Sequence, residues 1–393
     1  MQSSRSNKVR RIPATYMRGG TSKGVFFLDT DLPQDPVLRD RLLLRVLGSP
    51  DPYGKQIDGM GAATSSTSKV VILSRTTRSD SDIDYRFGQV AIDRPHIDWS
   101  GNCGNLTTAV APLAISLGLV QAPAEGIATV RLWQANLGKR ILAHVPMRAG
   151  EVIEDGDFEL DGVTFPAAEI RLEFLEPGGG GEGDHADLAM LPTGHVTDRL
   201  QIPAIGPVEL TLLNAGNPTI FVNANALGLK GTELQSDINN QPDLLARLEA
   251  VRAQGAVAMG IAASVEDASR NHRVVPRLCF VAPAQDYRAS DGRLVSASSI
   301  AFNARIVSVG QLHHAMTGTG AIALSVAAAL PASVVNQVLK PGTDTTRLAF
   351  GHPSGTLAVG AELNERDGQW MVARSVMSRS ARRLMQGWVF APV

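Results

Sequence analysis

The chain has 393 residues, enough for two domains and a sizeable core. Hydrophobic residues make up 44% and charged residues 19%, a globular balance that excludes a disordered chain. The 37 basic and 38 acidic residues leave a formal charge of −1, so no global field draws the chain to nucleic acid or an acidic membrane surface. Two cysteines, Cys103 and Cys279, argue against a disulfide scaffold and point to a reducing compartment, the cytoplasm.

In chain order, the opening MQSSRSNKVRRIPAT is polar and basic with no apolar segment behind it, so no secretory signal is expected; its Arg/Lys cluster reads first as a frayed, solvated terminus, with a targeting remnant as the alternative. MRGGTSKG (17–24) gathers Arg18, Thr21, Ser22 and Lys23 around glycines, a composition suited to a multiply charged anion. It lacks the G-x-x-x-x-G-K-[ST] spacing of a nucleotide loop, and alone it is as often solvated surface. GVFFLD, KVVILS, TIFVNA and RLCFVA have the β-branched and aromatic content of strands, and Cys279 in the last of these reads as a small core residue. Helices are predicted at Leu106–Leu119 and Ala321–Leu330; each is apolar on nearly every face and must be wrapped by sheet. Pro112 falls inside the first. Between them LEPGGGGEGDH (175–185) reads as a flexible connection or surface loop. No apolar run is long enough to span a bilayer. The eight histidines lack HxxxH or HExxH spacing, and adjacent His313 and His314 suit one ion poorly, so no metal is expected.

Three short motifs recur in the same order on either side of the glycine run. RGGTSKGVFFLD (18–29), GMGAATSS (59–66) and NCGNLTTAVAPLA (102–114) match NAGNPTIFVNA (214–224), AMGIAASV (258–265) and MTGTGAIALSVAA (316–328). Three matches in order indicate duplication. Two halves follow, 1–186 and 187–393, with the last residues free to return to the first half. Both apolar helices open with glycine turns, and duplication would set their N-termini face to face across a cleft.

A helix N-terminus carries unpaired N–H groups and about half a positive charge, which favours a thiolate and cradles a carboxylate. Cys103 stands at such a junction; the alternative is an inert cap. The matching position holds Thr317, too weak an acid for proton transfer, so two-thiol racemisation is disfavoured and one thiol needs another base. Lys69 opens KVVILS after a run of hydroxyls, where burial would lower its pKa. On spacing alone it reads first as a strand-edge lysine snorkelling to solvent.

CGN opening one helix and TGTGA the other, with GNP upstream in the second half, resemble the diaminopimelate epimerase-like superfamily. That resemblance implies an α+β fold of two similar domains, each a barrel-like mixed sheet around a central helix, and no cofactor. More narrowly, ATYMRGGTSKGVFF, IDGMGAATSSTSKVVIL, SGNCGN and RRLMQGWV look like the PrpF family across the whole chain. Its members isomerise unsaturated di- and tricarboxylates: 2-methylaconitate in propionate catabolism (the methylcitrate cycle), 4-oxalomesaconate and 3-methylitaconate.

By this resemblance Lys69 and Cys103 match the catalytic lysine and cysteine. Ser65, Ser66, Asn102, Gly104, Asn105, Met316, Thr317 and Gly318 fall where substrate contacts are expected, with Thr21, Ser22, Ser68, Leu106 and Thr319 beside them. Arg18, Lys23, Arg277, Arg379 and Arg382 are the implied carboxylate partners. The expected chemistry is allylic proton abstraction to a dienolate-like anion, then reprotonation after a bond rotation or at the far allylic carbon. The 2-methylaconitate branch is favoured, with a double-bond-shifting isomerase as one alternative. From another class, a non-catalytic tricarboxylate-binding accessory protein of an aconitase-like dehydratase remains, as do a homodimer and a functional link to such a dehydratase.

Overall fold

A computed structural model describes residues 9–179, 187–203 and 205–392. The basic segment before Val9, and residues 180–186 where the sequence places the boundary between halves, lie outside them.

In the first half β1 (Val9–Gly19) turns at Gly20, φ +49°, into β2 (Ser22–Leu28). α1 (Pro36–Leu47) follows, its first turn capped by the Asp35 carboxylate, which accepts from Leu38 N–H. β3 (Lys69–Ser74) then pairs in parallel with β2, Val25 opposite Val70. β4 (Ile83–Val90) and β5 (Ile97–Asp98) lead into α2 (Gly104–Ser116). β6 (Gly126–Gln134), β7 (Lys139–Arg148), β8 (Glu151–Val152) and β9 (Ile170–Leu175) close the wrap around it.

The second half begins with β10 (Asp198–Ile202) and β11 (Gly206–Ala215), which turns at Gly216, φ +72°, into β12 (Asn217–Asn223). α3 (Gln235–Asn239), α4 (Pro242–Ala258) and α5 (Val265–Asn271) precede β13 (Arg277–Pro283), which pairs in parallel with β12. β14 (Tyr287–Arg288) and β15 (Leu294–Val295) form a separate ribbon. β16 (Phe302–Ser308) and β17 (Gln311–Leu312) lead to α6 (Gly318–Ala329), then β18 (Leu348–His352), β19 (Gly355–Arg366), β20 (Gln369–Arg379) and β21 (Ala381–Pro392). β20 pairs with β9 and β21 with β1, so one mixed 19-stranded sheet runs through both halves.

The duplication is therefore structural: a glycine-turned hairpin, a helix, a parallel strand, an antiparallel strand and a buried helix occur in each half. Alternation along the strands explains the layers. Phe26, Val71 and Leu73 face α2, while Val25, Phe27, Val70 and Ile72 lie under α1. In the same way Phe221, Cys279 and Val281 face α6, and Ile220, Val222, Leu278 and Phe280 lie under α4. Strands covered on both faces read as unbroken apolar runs, and each fully buried aliphatic side chain contributes about 1.5–3 kcal/mol. Two features differ from the sequence expectation. The outer helices α1 and α4 are additional, and both central helices begin earlier, because the glycine turns form their first turns. α2 runs on through Pro112. Among the described residues no helix is long and apolar enough to cross a membrane.

Candidate active site

The central helices meet end to end. A Cβ added to Gly104 would stand 2.8 Å from Gly318 C and from Thr319 N, so only glycine lets the termini approach this closely. The loops before them are tied across the halves. Asn102 N–H donates to Asn217 Oδ1 (3.1 Å), and Asn217 Nδ2 donates to Asn102 O (3.2 Å).

The N-cap of α2 is Cys103, extended at φ −114° and ψ 91°, buried, and making no side-chain capping bond. Its own N–H is held by Asn102 Oδ1 at 2.7 Å. The N-cap of α6 is Thr317, whose hydroxyl oxygen accepts from Gly320 N–H (3.2 Å) and from Arg277 Nη1 (2.9 Å). The Cys103 thiol is thus not spent on capping its helix and reaches Lys69 instead, while Thr317 is engaged as a cap.

Each half sends one cation toward these termini. Lys69 opens β3 on the face shared with Val71 and Leu73; Arg277 opens β13 on the face shared with Cys279 and Val281, so the two occupy corresponding places. Lys69 Nζ donates to Gln89 Oε1 at 2.5 Å and lies 4.8 Å from the Phe87 ring centre. Burial lowers its pKa to about 8, the Arg277 charge adding to the effect and Cys103 opposing it. Arg277 is pinned by Thr317 and by Thr319 Oγ1 (2.5 Å), and burial lowers it only to about 10, so it stays a cation. Its Nε, and Nε and Nη2 of buried Arg379, lack a hydrogen-bond partner among the described residues. Asp98 acts on Arg277 only through space.

A chamber of about 10 Å³, one water's worth, lies between Lys69, Cys103, Arg277 and Thr317, with Ser22, Ser65, Asn105, Gly318 and Thr319 in its wall. A vestibule of about 820 Å³ adjoins it, sharing Ser22, Ser65 and His313, and is lined by Arg18, Thr21, Lys23, Ser66 and Arg382. Six sequence candidates line neither space. Ser68 accepts from Gln56 Nε2 (2.8 Å), and Asn102 Oδ1 is spent on Cys103 N–H (2.7 Å) and the Tyr85 hydroxyl (3.3 Å). Gly104 is pressed against Gly318, Leu106 and Met316 are core, and Arg379 lies behind the chamber, within electrostatic reach of Cys103. The sequence reading missed His313, Ser308 and Gln89. His313 Nδ1 accepts from Ala315 N–H (3.1 Å), so its Nε2 carries the proton toward Ser66 Oγ (2.9 Å). Burial holds this ring neutral, well below the usual histidine range. Its place just upstream of MTGTGA was the available signal.

The PrpF protein family model matches residues 9–392. The chain belongs to the PrpF family. It is 56% identical over 389 residues to a 2-methyl-aconitate isomerase of Cupriavidus necator, with 97% of each chain covered. The crystal structure of a methylitaconate-delta-isomerase superposes with a TM-score of 0.77 at 36% identity, covering 98% of this chain and 96% of that one. A hydroxyproline epimerase from Agrobacterium vitis shares the fold at 14% identity, with a TM-score of 0.57 and 98% and 94% covered. The fold of this PrpF chain is accordingly the α+β, diaminopimelate epimerase-like architecture.

Proposed function

We propose that this PrpF-family chain is a cofactor-independent isomerase of an unsaturated tricarboxylate, with 2-methylaconitate as the favoured substrate. The observation that carries this is the unequal pairing of the duplicated site. Lys69 and Cys103 supply proton-transferring groups on one side, and Arg277 with Thr317 supplies an anchored cation on the other. A carboxylate held between Arg277 and the abutting helix N-termini would direct its allylic C–H toward Lys69. The amine removes the proton, and the cations and backbone N–H groups stabilise the dienolate-like charge as it develops. Cys103 returns a proton or orients the substrate. The 56% identity to a 2-methyl-aconitate isomerase, against 36% to a methylitaconate-delta-isomerase, favours the cis–trans reaction.

A tricarboxylate is far larger than the inner chamber, so it enters from the vestibule, where Arg18, Lys23 and Arg382 outnumber Glu154 and Asp155. Two buried free thiols suit a reducing cytoplasm, and a functional link to an aconitase-like dehydratase follows from the substrate. A homodimer is supported by β21, which among the described residues pairs only with β1 and leaves Leu384, Trp388 and Phe390 exposed.

The test is isomerisation of 2-methylaconitate and 3-methylitaconate by the purified protein in deuterated buffer, with Lys69→Ala and Cys103→Ser alongside. Loss of at least a hundredfold in turnover for Lys69→Ala is expected. Native turnover in both variants would overturn the assignment.

A further inference from the structure

A buried lysine ordinarily pairs with a carboxylate, because an unpaired buried charge is costly. Lys69 instead meets a neutral amide. Gln89 is its cross-strand partner on β4, itself buried, and its Oε1 takes the Lys69 Nζ hydrogen bond at 2.5 Å. The amide cannot flip: its Nε2 donates to Ser68 O at 2.9 Å, and a flip would set that NH2 against the ammonium and the oxygen against a carbonyl. Ser68 is fixed in turn by Gln56 Nε2 (2.8 Å), and Gln56 Oε1 accepts from Ala63 N–H (2.8 Å). The chain of bonds thus runs from the loop before β3 to the amine itself.

Other elements present few charges to Lys69. Cys103 faces it from α2, Arg277 from β13 and the neutral ring of His313 from the loop after β17, while the Phe87 ring lies on β4. Asp98 on β5, buried and opposite Gln89 in register, is the carboxylate beside this cluster; its charge acts on Arg277 and is not among those that shift Lys69.

We propose that Gln89 is the positioning residue of the proton-transferring amine: its fixed amide oxygen aims Lys69 into the chamber and adds no counter-charge. This rests on Lys69 being the base. A glutamate of nearly the same shape would make the same hydrogen bond but would hold the amine as an ammonium. The lowered pKa of Lys69 agrees with a partner that supplies geometry without charge.

The experiment is the pH profile of kcat/KM for isomerisation by the native enzyme, Gln89→Glu and Gln89→Met. In Gln89→Glu the acid limb should move up by about one to three pH units. Activity near pH 7 should fall roughly tenfold for each unit and recover toward the alkaline end. Gln89→Met keeps the volume but removes the acceptor. Its limb should move down while kcat falls at least tenfold at every pH, which decides the matter if the glutamate variant does not fold. An acid limb and kcat unchanged in the folded variants would overturn the proposal. Lys69→Ala separates the two levels. If it keeps native turnover, the base assignment itself fails; if it is inactive while both Gln89 variants keep native profiles, only the role of Gln89 falls.

Discussion

Replacing Gly104 by alanine tests whether the end-to-end contact of the two helices builds the site. The new Cβ would meet Gly318 C and Thr319 N at 2.8 Å and Gly318 Cα at 3.0 Å. Comfortable carbon contacts begin near 3.5 Å, so the termini must part by roughly 0.7 Å. Both sides of the contact are backbone, which no rotamer change relieves. Overpacking of this kind costs about 1–3 kcal/mol, lowering Tm by a few degrees. The larger effect falls on Cys103, the adjacent residue, and on the Arg277 anchor across the contact. A displacement approaching 1 Å can reduce turnover about a hundredfold. Thermal denaturation and steady-state turnover, with Gly387→Ala as control because nothing lies within 4 Å of its added Cβ, give the readouts. Native Tm together with native kcat in Gly104→Ala would refute the argument.

Arg277→Met should raise KM and lower kcat/KM by roughly thirtyfold to a few thousandfold, because truncating one partner of a buried charged pair costs about 2–5 kcal/mol. The lost cation also stops depressing Lys69, so the acid limb of the pH profile should move to higher pH; an unmoved limb would contradict the coupling. Stability should fall on acidification. His313 and His352 are buried and held neutral well below the ordinary value of 6.5, while the unfolded chain takes up these protons near 6.5. Their contribution is therefore complete above that pH and is lost below it, by about 1.4 kcal/mol per pH unit for each ring. Urea midpoints at pH 7.5, 6.5 and 5.5 would show this, and a flat series would contradict it.

Much of the architecture was legible because it is periodic or repeated. β-branched runs such as KVVILS announced strands, and the apolar helices announced that a sheet wraps them. The glycine turns marked where the helices begin, but their N-terminal limit depended on a contact between residues 104 and 318 that no local pattern carries. Lys69 and Cys103 stood out by chemistry and position. Gln89 did not, since its role comes from the register of β4 on β3, where it lies opposite Lys69. Arg379 was singled out as a carboxylate partner, yet alternation on β20 turns it inward beside Met377 and Ser375, behind the chamber. His313 was weighed only as a metal ligand; its tautomer is fixed by the backbone of Ala315, a detail invisible without the turn.

The pairing of β21 with β1 has a consequence for the order in which the protein can be made. β1 has β2 on one edge and β21 on the other, and β9 likewise receives β20. At roughly 5–20 residues per second of synthesis, Ala381 leaves the ribosome roughly 20–70 s after Gly19. For that time the first half can assemble its hairpin and parallel strand, but two of its strand edges stay open. The sheet that carries Lys69 is thus among the first parts translated and the last sealed, and a nascent chain short of its final dozen residues would expose β1 to any other strand in search of a partner.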